Sequence, residues 1–332
     1  MMSDHKGSVW VIAEQVRGDI PAVCLEIIGK ARKLAGDLGV PVEVVLLGNG
    51  ISDQVDLLFF AGADAVHLGD APDFDGYQSE IFTESIVSRA KELEPQIMLI
   101  GSTFMGRELA PLIAAKLGTG LTAHCIDLVL DKKGVLEQQI PAYGGMMSII
   151  CPEKRPQIAT IARGVFPMPA LDENRSGKIL PVEPPKGINN RVQTLEVIHI
   201  EPKGVPLESA PIMVAGGAGA GSIEGWQEIQ ALAETLNAAL GSTRPVVDEG
   251  WTELETMVGQ SGKMVSPELY IGVGLSGELQ HMVGIVGAKV MIAINNDAKS
   301  PVFEQVDIGI VEDCRQFIPL LTEKVKLYKE DI

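Results

Sequence analysis

Short apolar runs alternate with amphipathic stretches along the first part of the chain. Residues 9–13 are uniformly apolar and have the length of a buried strand, and residues 21–38 follow with helical spacing. The apolar runs 42–47 and 97–100 continue the pattern, and a helical stretch over 107–117 follows the second of them. Strands that alternate with helices in this way predict a parallel sheet.

The pattern changes after Gly120. The runs 125–130 and 135–140 flank a polar turn and predict a hairpin, and the runs 148–151 and 157–161 predict two further strands. We expect these strands to be antiparallel additions to an N-terminal α/β domain.

Proline marks the middle of the chain. Residues 167–186 are rich in proline and predict an irregular surface segment, because proline cannot serve a central strand or a helix interior. A strand is predicted at 192–200, and residues 202–211 have the composition of a linker. We therefore predict two domains, residues 1–206 and 207–332.

The second domain shows a more regular pattern. Five short apolar runs predict strands, and helical spacing follows the first and the last run. The runs are 212–214, 245–247, 269–273, 290–294 and 308–310, and the helical stretches are 229–240 and 315–328. Most runs end in glycine, hydroxyl or amide residues, and ligands bind at this edge of an open parallel sheet. The pattern predicts a doubly wound parallel sheet that binds a phosphate-bearing cofactor.

Composition narrows the class of protein. A chain of 332 residues with 46% hydrophobic and 21% charged residues is long enough for two folded domains. The net charge of −17 disfavours nucleic acid and anionic lipid as partners. The chain shows no membrane span and no signal-peptide pattern, so we expect a cytoplasmic protein. Its four cysteines form no CxxC motif, which favours buried reduced thiols over disulfides or a metal centre.

Two glycine-rich motifs are candidate phosphate sites. Gly217 and Gly219 fit a dinucleotide-binding fingerprint, but Ser222 stands where the third glycine belongs. Close packing of a strand and a helix explains these glycines nearly as well as a cofactor does. Met257 breaks the Walker pattern before Gly262-Lys263, which disfavours ATP hydrolysis.

Polar residues beside the second and third predicted strands are candidate ligands. We expect Ser276 to cap a helix whose first amides face an anion. His281, one turn into that helix, either donates to a carbonyl oxygen of a heterocycle or is a satisfied core histidine. Arg244 either balances the negative charge of a ligand or pairs with a carboxylate, Asp248 or Asp297.

A longer motif connects these residues. Residues 258–263 (VGQSGK) and 266–281 (SPELYIGVGLSGELQH) closely resemble the FAD-binding signature of electron transfer flavoprotein α subunits. Further likeness to this family is found at residues 106–111, 117–121, 293–297, 301–303 and 307–313. The resemblance covers nearly the whole chain.

The resemblance implies that FAD lies mainly in the second domain and that a β subunit, which contacts the N-terminal domain, completes a heterodimer. It places Arg244 beside the isoalloxazine, where it favours anionic reduced forms, Ser261 near N5, and His281 near the pyrimidine carbonyl. Further cofactor positions carried over from the family are Thr243, Val258, Gly259, Gln260, Ser276, Gly277, Glu278, Leu279 and Gln280, with Asn295, Asp313 and Cys314 around the adenosine half.

This chain departs from the family at one position of the glycine run. Members commonly have Gly-Gly-Arg-Gly where residues 216–219 are Gly-Gly-Ala-Gly, so the cationic contact expected at Ala218 is missing. Cofactor affinity or placement is therefore expected to differ from that of typical members.

The leading functional hypothesis is an electron carrier rather than an enzyme. The chain would shuttle electrons on FAD between acyl-CoA or other dehydrogenases and their acceptors. Three alternatives stay open: the α subunit of an electron-bifurcating complex that uses NADH, a non-redox adenine-nucleotide-binding module, and a self-sufficient NAD-dependent dehydrogenase, which the broken fingerprint argues against.

Overall fold

The computed structural model describes residues 7–142, 145–187, 192, 194, 204–208, 210–285 and 287–330. The chain divides into two compact units, Met1–Ile198 and His199–Ile332. The predicted domain boundary, between residues 206 and 207, lies close to this division. Among the described residues, no helix is both long enough and apolar enough to cross a membrane.

The first unit is built on a seven-stranded parallel sheet. The strands of the unit are β1 (Val9–Ala13), β2 (Val42–Gly48), β3 (Ala65–Asp70), β4 (Ile97–Gly101), β5 (Leu121–Cys125), β6 (Asp127–Leu130), β7 (Leu136–Ala142), β8 (Gly145–Ile150), β9 (Gln157–Ile161) and β10 (Lys178–Pro181). Its helices are α1 (Ala22–Leu38), α2 (Val55–Ala61), α3 (Ser79–Leu93) and α4 (Phe104–Leu117). The sheet has the order β10-β3-β2-β1-β4-β9-β5, and β6, β7 and β8 form a separate antiparallel sheet.

Alternate side chains of β1 explain the two layers of helices. Val9 and Val11 belong to a core with α1 and α2, whereas Trp10 and Ile12 belong to a core with α3 and α4. A strand that is covered on both faces is apolar at every position, as the sequence of β1 indicates.

Several predictions for the first unit need correction. The hairpin of β6 and β7 is confirmed, but β9 is not an antiparallel addition, because it pairs in parallel with β4 and β5 inside the main sheet. All five residues of β9 are buried, as in a central parallel strand. The proline-rich segment contributes β10, an edge strand. The strand predicted at 192–200 falls almost entirely outside the described residues.

The second unit contains a five-stranded parallel sheet. Its strands are β11 (Ile212–Gly216), β12 (Ala239–Ser242), β13 (Leu269–Val273), β14 (Val290–Asn295) and β15 (Ile308–Val311), and its helices are α5 (Ile223–Leu236), α6 (Arg244–Asp248), α7 (Leu279–Met282) and α8 (Cys314–Glu330). The order is β12-β11-β13-β14-β15, so the direction of winding reverses between β11 and β13. Such a switch point opens a crevice at the carboxyl ends of the strands. The predicted α/β fold with a doubly wound C-terminal sheet is confirmed.

Two local predictions for the second unit are wrong. The predicted strand 245–247 is helix α6, because Pro245 lies in its first turn, where a missing N–H costs nothing. The helix predicted to extend to Leu240 ends at Leu236, since Asn237 adopts the left-handed conformation with φ 52°, and Leu240 belongs to β12.

Candidate cofactor site

Backbone hydrogen bonds join the carboxyl ends of four strands in the second unit. The amide of Thr243 donates to the carbonyl of Gly216 at 3.0 Å, and the amide of Gly217 donates to the carbonyl of Val273 at 2.8 Å. The amide of Gly274 donates to the carbonyl of Ile294 at 2.8 Å. The segments that follow β11, β12, β13 and β14 therefore lie at one edge of the sheet.

Packing between two turns explains the glycine run after β11. A Cβ atom on Gly217 or Gly219 would lie 2.4 or 2.6 Å from the carbonyl oxygen of Gly274. The amide of Gly219 also donates to that oxygen at 2.8 Å. These two glycines are needed for the contact between the turns. This agrees with the alternative that close packing, and not a cofactor, explains the glycine run. Ala218, between them, is exposed.

The loop after Met257 lies against both β12 and α7. The amide of Val258 donates to the carbonyl of Ser242 at 3.0 Å, and the amide of Gln260 donates to the carbonyl of Gln280 at 2.7 Å. Gly259 has φ 142°, and a Cβ there would lie 2.4 Å from the Gln280 carbonyl oxygen. The structure thus brings the predicted residues of this loop next to those of α7.

Polar side chains at this edge are available to a ligand. The side chains of Gln260, Ser261 and Ser276 are exposed and make no hydrogen bond within the described part of the chain. The side chain of Arg244 is 71% exposed, and its Nε lies 3.4 Å from Oδ2 of Asp248. Arg244 thus pairs with a carboxylate and is still available to a ligand, because an ion pair that is so long and so exposed is weak.

Ser276 does not cap a helix. Helix α7 begins at Leu279 with Glu278 as its N-cap, and it has only four residues. Gly277 has φ 81°, and the carbonyls of Ser276 and Gly277 accept hydrogen bonds from Ser300 and Gln305, which hold this segment in place ahead of the helix. The helix N-terminus therefore offers no anion site, although Ser276 remains at the sheet edge.

His281 is a buried histidine with both ring nitrogens engaged. Its Nδ1 lies 2.9 Å from the carbonyl oxygen of Val258, and its Nε2 lies 2.7 Å from the hydroxyl of Tyr270. Burial lowers the pKa of His281, and the hydrogen bond to Val258 opposes this effect. In this arrangement His281 has no free donor for a heterocycle, as expected for a satisfied core histidine.

The three residues expected around the adenosine half also lie at this edge and contact other parts of the protein. The amide nitrogen of the Asn295 side chain donates to the carbonyl of Leu275 at 2.9 Å, and the thiol of Cys314 donates to the carbonyl of Gly219 at 3.3 Å. Asp313 accepts hydrogen bonds from Arg315, which lower the pKa of the Asp313 carboxyl.

Two buried residues near this edge, Tyr270 and Ser300, are not predicted from the sequence. Tyr270 is fully buried on β13, and Ser300 is buried and donates to the carbonyl of Ser276 at 3.2 Å. A tyrosine inside an otherwise apolar strand was a usable signal, since a buried phenol needs a hydrogen-bond partner.

A cavity of about 580 Å³ lies in the first unit, whereas every predicted site residue belongs to the second. It is lined by α1, the end of α2 and residues 166–170. Among its basic side chains, Arg32 and Arg175 share Asp64 at 2.5 and 3.1 Å, and Lys30 pairs with Asp127 at 2.8 Å.

Two family models match the chain and decide its family. The electron transfer flavoprotein domain matches residues 9–186, and the electron transfer flavoprotein FAD-binding domain matches residues 206–286. The chain belongs to the electron transfer flavoprotein family. The second model begins close to the predicted domain boundary and covers β11, β12, β13 and α7.

Similar proteins extend the match over the whole chain. Electron transfer flavoprotein subunit alpha of Thermoanaerobacterium thermosaccharolyticum is 41% identical over 333 residues, which are 99% of this chain and 100% of that protein. Protein FixB of Clostridium saccharobutylicum is 40% identical over 98% of each chain. Electron transfer flavoprotein subunit alpha of Megasphaera elsdenii is 36% identical over 99% of this chain and 98% of its own. The predicted α-subunit resemblance is confirmed.

The residues of the second unit fit the cofactor that the family description names. FAD presents a charged pyrophosphate and a polar ring system, which require hydroxyl, amide and cationic groups near an open strand edge. The exposed Gln260, Ser261, Ser276 and Arg244 carry groups of these kinds on segments that follow β12 and β13. FAD is therefore the cofactor of this electron transfer flavoprotein chain, as predicted.

Proposed function

We propose that the chain is an electron carrier that binds FAD at the carboxyl edge of the second unit's sheet. It would serve in the cytoplasm as the α part of a heterodimer with a β subunit that contacts residues 1–206. Dehydrogenases, including those of acyl-CoA, would supply its electrons. The observation that carries this proposal is the convergence of exposed polar groups at the edge where β11, β12 and β13 end.

The chain's own residues would bind and tune the cofactor. Bound FAD supplies the capacity to accept and release electrons, and the protein supplies orientation and electrostatics. Arg244 would place positive charge near the ring system and favour negatively charged reduced forms. The Ser261 hydroxyl would donate to the ring near N5, and Gln260, Ser276 and Gln280 would contact other parts of FAD.

The remaining predicted residues would line the cofactor or hold the backbone of the site in place. We propose that Thr243, Val258, Gly259, Gly277, Glu278 and Leu279 line the cofactor, with Asn295, Asp313 and Cys314 near the adenosine half. We also propose that His281 contacts FAD. To donate a hydrogen bond to FAD, its ring would first have to give up its hydrogen bond to Tyr270 or to Val258.

The test is the identity and amount of flavin released from the chain after co-purification with its β partner. One FAD per heterodimer is expected for a simple carrier. Two flavins would favour the bifurcating alternative, with the second on the β subunit. A colourless protein that still binds adenine nucleotides would contradict the carrier and favour the nucleotide-binding module.

Variants of the sheet edge sharpen this test. The double substitution Ser261→Ala with Ser276→Ala removes two exposed hydroxyls and is expected to reduce the retained FAD. The matched control is Ser88→Ala with Ser176→Ala, which removes two exposed hydroxyls of the first unit. The control should leave FAD retention unchanged, and equal retention in both double variants would contradict the placement of FAD at this edge.

A further inference from the structure

Tyr270, His281 and Val258 form a buried hydrogen-bonded series beneath the sheet edge. Tyr270 is 0% exposed and His281 is 7% exposed, and Tyr270 packs within the apolar cluster that includes Val258 and Leu275. The distances are 2.7 Å from the Tyr270 hydroxyl to Nε2 and 2.9 Å from Nδ1 to the Val258 carbonyl oxygen. The imidazole is thus held at both nitrogens by different elements, β13 and the loop after Met257.

Hydrogen-bond chemistry determines where the ring proton lies. A peptide carbonyl only accepts, so Nδ1 must carry a hydrogen to bond with Val258. Burial lowers the pKa of His281 and favours the neutral ring. In the neutral ring Nε2 is then an acceptor, and the Tyr270 hydroxyl must donate to it.

A hydroxyl differs from a carbonyl or an amide N–H as a partner for Nε2, because it can either donate or accept a hydrogen bond. When Nε2 gains a proton, the Tyr270 oxygen can accept from the new N–H by rotation of its own hydrogen, and no heavy atom has to move. Every polar atom of the ring therefore keeps a partner in both protonation states. A phenylalanine at the same place would leave the N–H of the charged ring buried without an acceptor, which is costly.

We propose that Tyr270 is a positioning residue that allows His281 to take up and release a proton at Nε2 while the ring stays in place. The proton comes from solvent and binds the Nε2 lone pair, and an O–H···N bond becomes an N–H···O bond. No other bond changes. Its role in electron transfer rests on the proposed function: a positive charge formed beneath the sheet edge would offset negative charge that arrives on a bound FAD.

Other charged groups on the surrounding elements do not account for the state of the ring. Glu278 is exposed at the start of α7, and Lys263 in the loop pairs with Glu208 at 3.3 Å. Glu268, beside β13, is exposed and paired with Lys289. Burial and the Val258 hydrogen bond are the causes that act on the His281 pKa, so the partner at Nε2 is the variable to test.

The experiment is a pH titration of histidine resonances by NMR in the isotopically labelled heterodimer, with His281→Gln to assign the signal. In the unchanged protein, the nitrogen shifts should show hydrogen on Nδ1 and a pKa below the ordinary value for histidine. In Tyr270→Phe, proton binding at His281 should weaken by about tenfold or more, which is about one pKa unit. Tyr77→Phe, which removes a phenol hydroxyl from the first unit, should leave the His281 titration unchanged.

Two results would overturn the proposal. One is a neutral His281 with its hydrogen on Nε2, which is measured without any substitution and is decisive even if Tyr270→Phe does not fold. The other is an equal or higher His281 pKa in folded Tyr270→Phe. The amount of bound FAD is measured on the same samples. Loss of the proposed function appears as absent flavin, whereas failure of this inference appears in the histidine titration alone.

Discussion

Arg244 and Lys289 offer a matched comparison of single charges in the second unit. Their side chains are 71% and 69% exposed, and each is paired with one carboxylate, Asp248 or Glu268. Arg244 follows the carboxyl end of β12, whereas Lys289 precedes the amino end of β14. Only Arg244 of this pair therefore lies at the edge proposed for FAD.

We expect Arg244→Ala to lower the reduction potential of the bound FAD, because a positive charge that favours negatively charged reduced forms is lost. The expected size is at most about 60 mV for a one-electron couple, a tenfold change in equilibrium, since solvent screens so exposed a cation. Lys289→Ala should leave the potential unchanged. Spectroelectrochemical titration of both variants measures the effect, and equal shifts in the two would contradict the assignment of Arg244.

Ala218 is the position at which this chain departs from the family pattern. Because Ala218 is exposed between two tightly packed glycines, a longer side chain can extend into solvent without disturbing the turn. Ala218→Arg is expected to retain stability and to slow the loss of FAD on dilution, since it restores the cation that typical family members carry at this position. Ala218→Gln, similar in length but neutral, is the control. Equal FAD retention in the two variants would contradict the claim that a positive charge at position 218 strengthens FAD binding.

At the residue scale, the sequence predicts candidate site residues but not their contacts. Ser261 is predicted from a family motif, and Arg244 from its charge and the same family resemblance, although the segment 245–247 that follows it is helix α6 and not the predicted strand. The state of His281 depends on Tyr270, eleven residues away and on another element. Such a neighbour is visible only once the chain is folded.

A buried carboxyl joins two elements of the first unit. Glu14, which follows β1, accepts a hydrogen bond of 2.5 Å from the hydroxyl of Thr103, and that hydroxyl caps α4 by accepting from the amide of Gly106 at 2.9 Å. Burial raises the pKa of Glu14 above the ordinary 4.5, and the hydrogen bond from Thr103 and the charge of Arg163 oppose this effect.

This arrangement predicts a pH dependence of stability. A raised pKa means that the folded chain holds the proton of Glu14 more tightly than the unfolded chain, so its contribution to the free energy of unfolding decreases as pH rises from about 4.5 through the folded-state value. Glu14→Gln keeps an acceptor for Thr103 and removes this decrease. The stability of the variant relative to the unchanged protein should therefore increase with pH in urea denaturation series. The exposed Glu153→Gln should show no such trend, and a constant difference for Glu14→Gln would contradict the prediction.

At the element scale, the predictions succeeded where burial leaves a simple pattern. Strand β1 is uniformly apolar and β13 is apolar apart from Tyr270, because both faces of their sheets are covered, and both strands lie where the sequence predicts them. Helix α3 was missed because polar residues separate its buried positions. Helix α6 was mistaken for a strand because its two valines favour strands, whereas Pro245 in the first turn decided the outcome.

At the scale of the whole molecule, the two-domain α/β architecture followed from length and from the alternation of strands and helices. The pairing of β9 did not follow, because a short apolar run does not specify its neighbours or its direction. Its place between β4 and β5 depends on contacts with strands that lie far away in the sequence.

The four cysteines are distributed so that each unit carries its own buried thiol. Cys24 and Cys125 lie in the core of the first unit and Cys314 lies in the core of the second, whereas Cys151 is partly exposed. Burial raises the pKa of Cys24 and Cys125 to about 12 and also raises the pKa of Cys314. Buried thiols with raised pKa values react only when the surrounding structure opens.

Alkylation followed by mass spectrometry should therefore record the opening of each unit separately. Cys151 should react first, at a rate that FAD does not change. Bound FAD should slow the reaction of Cys314, because a ligand of the folded state raises the free energy of opening. An unchanged Cys314 rate in the FAD-loaded protein would place the cofactor away from the turn that Cys314 contacts. Because the Cys314 thiol donates a hydrogen bond to the Gly219 carbonyl, the second unit carries its own reporter of cofactor release, and no cysteine has to be introduced for the measurement.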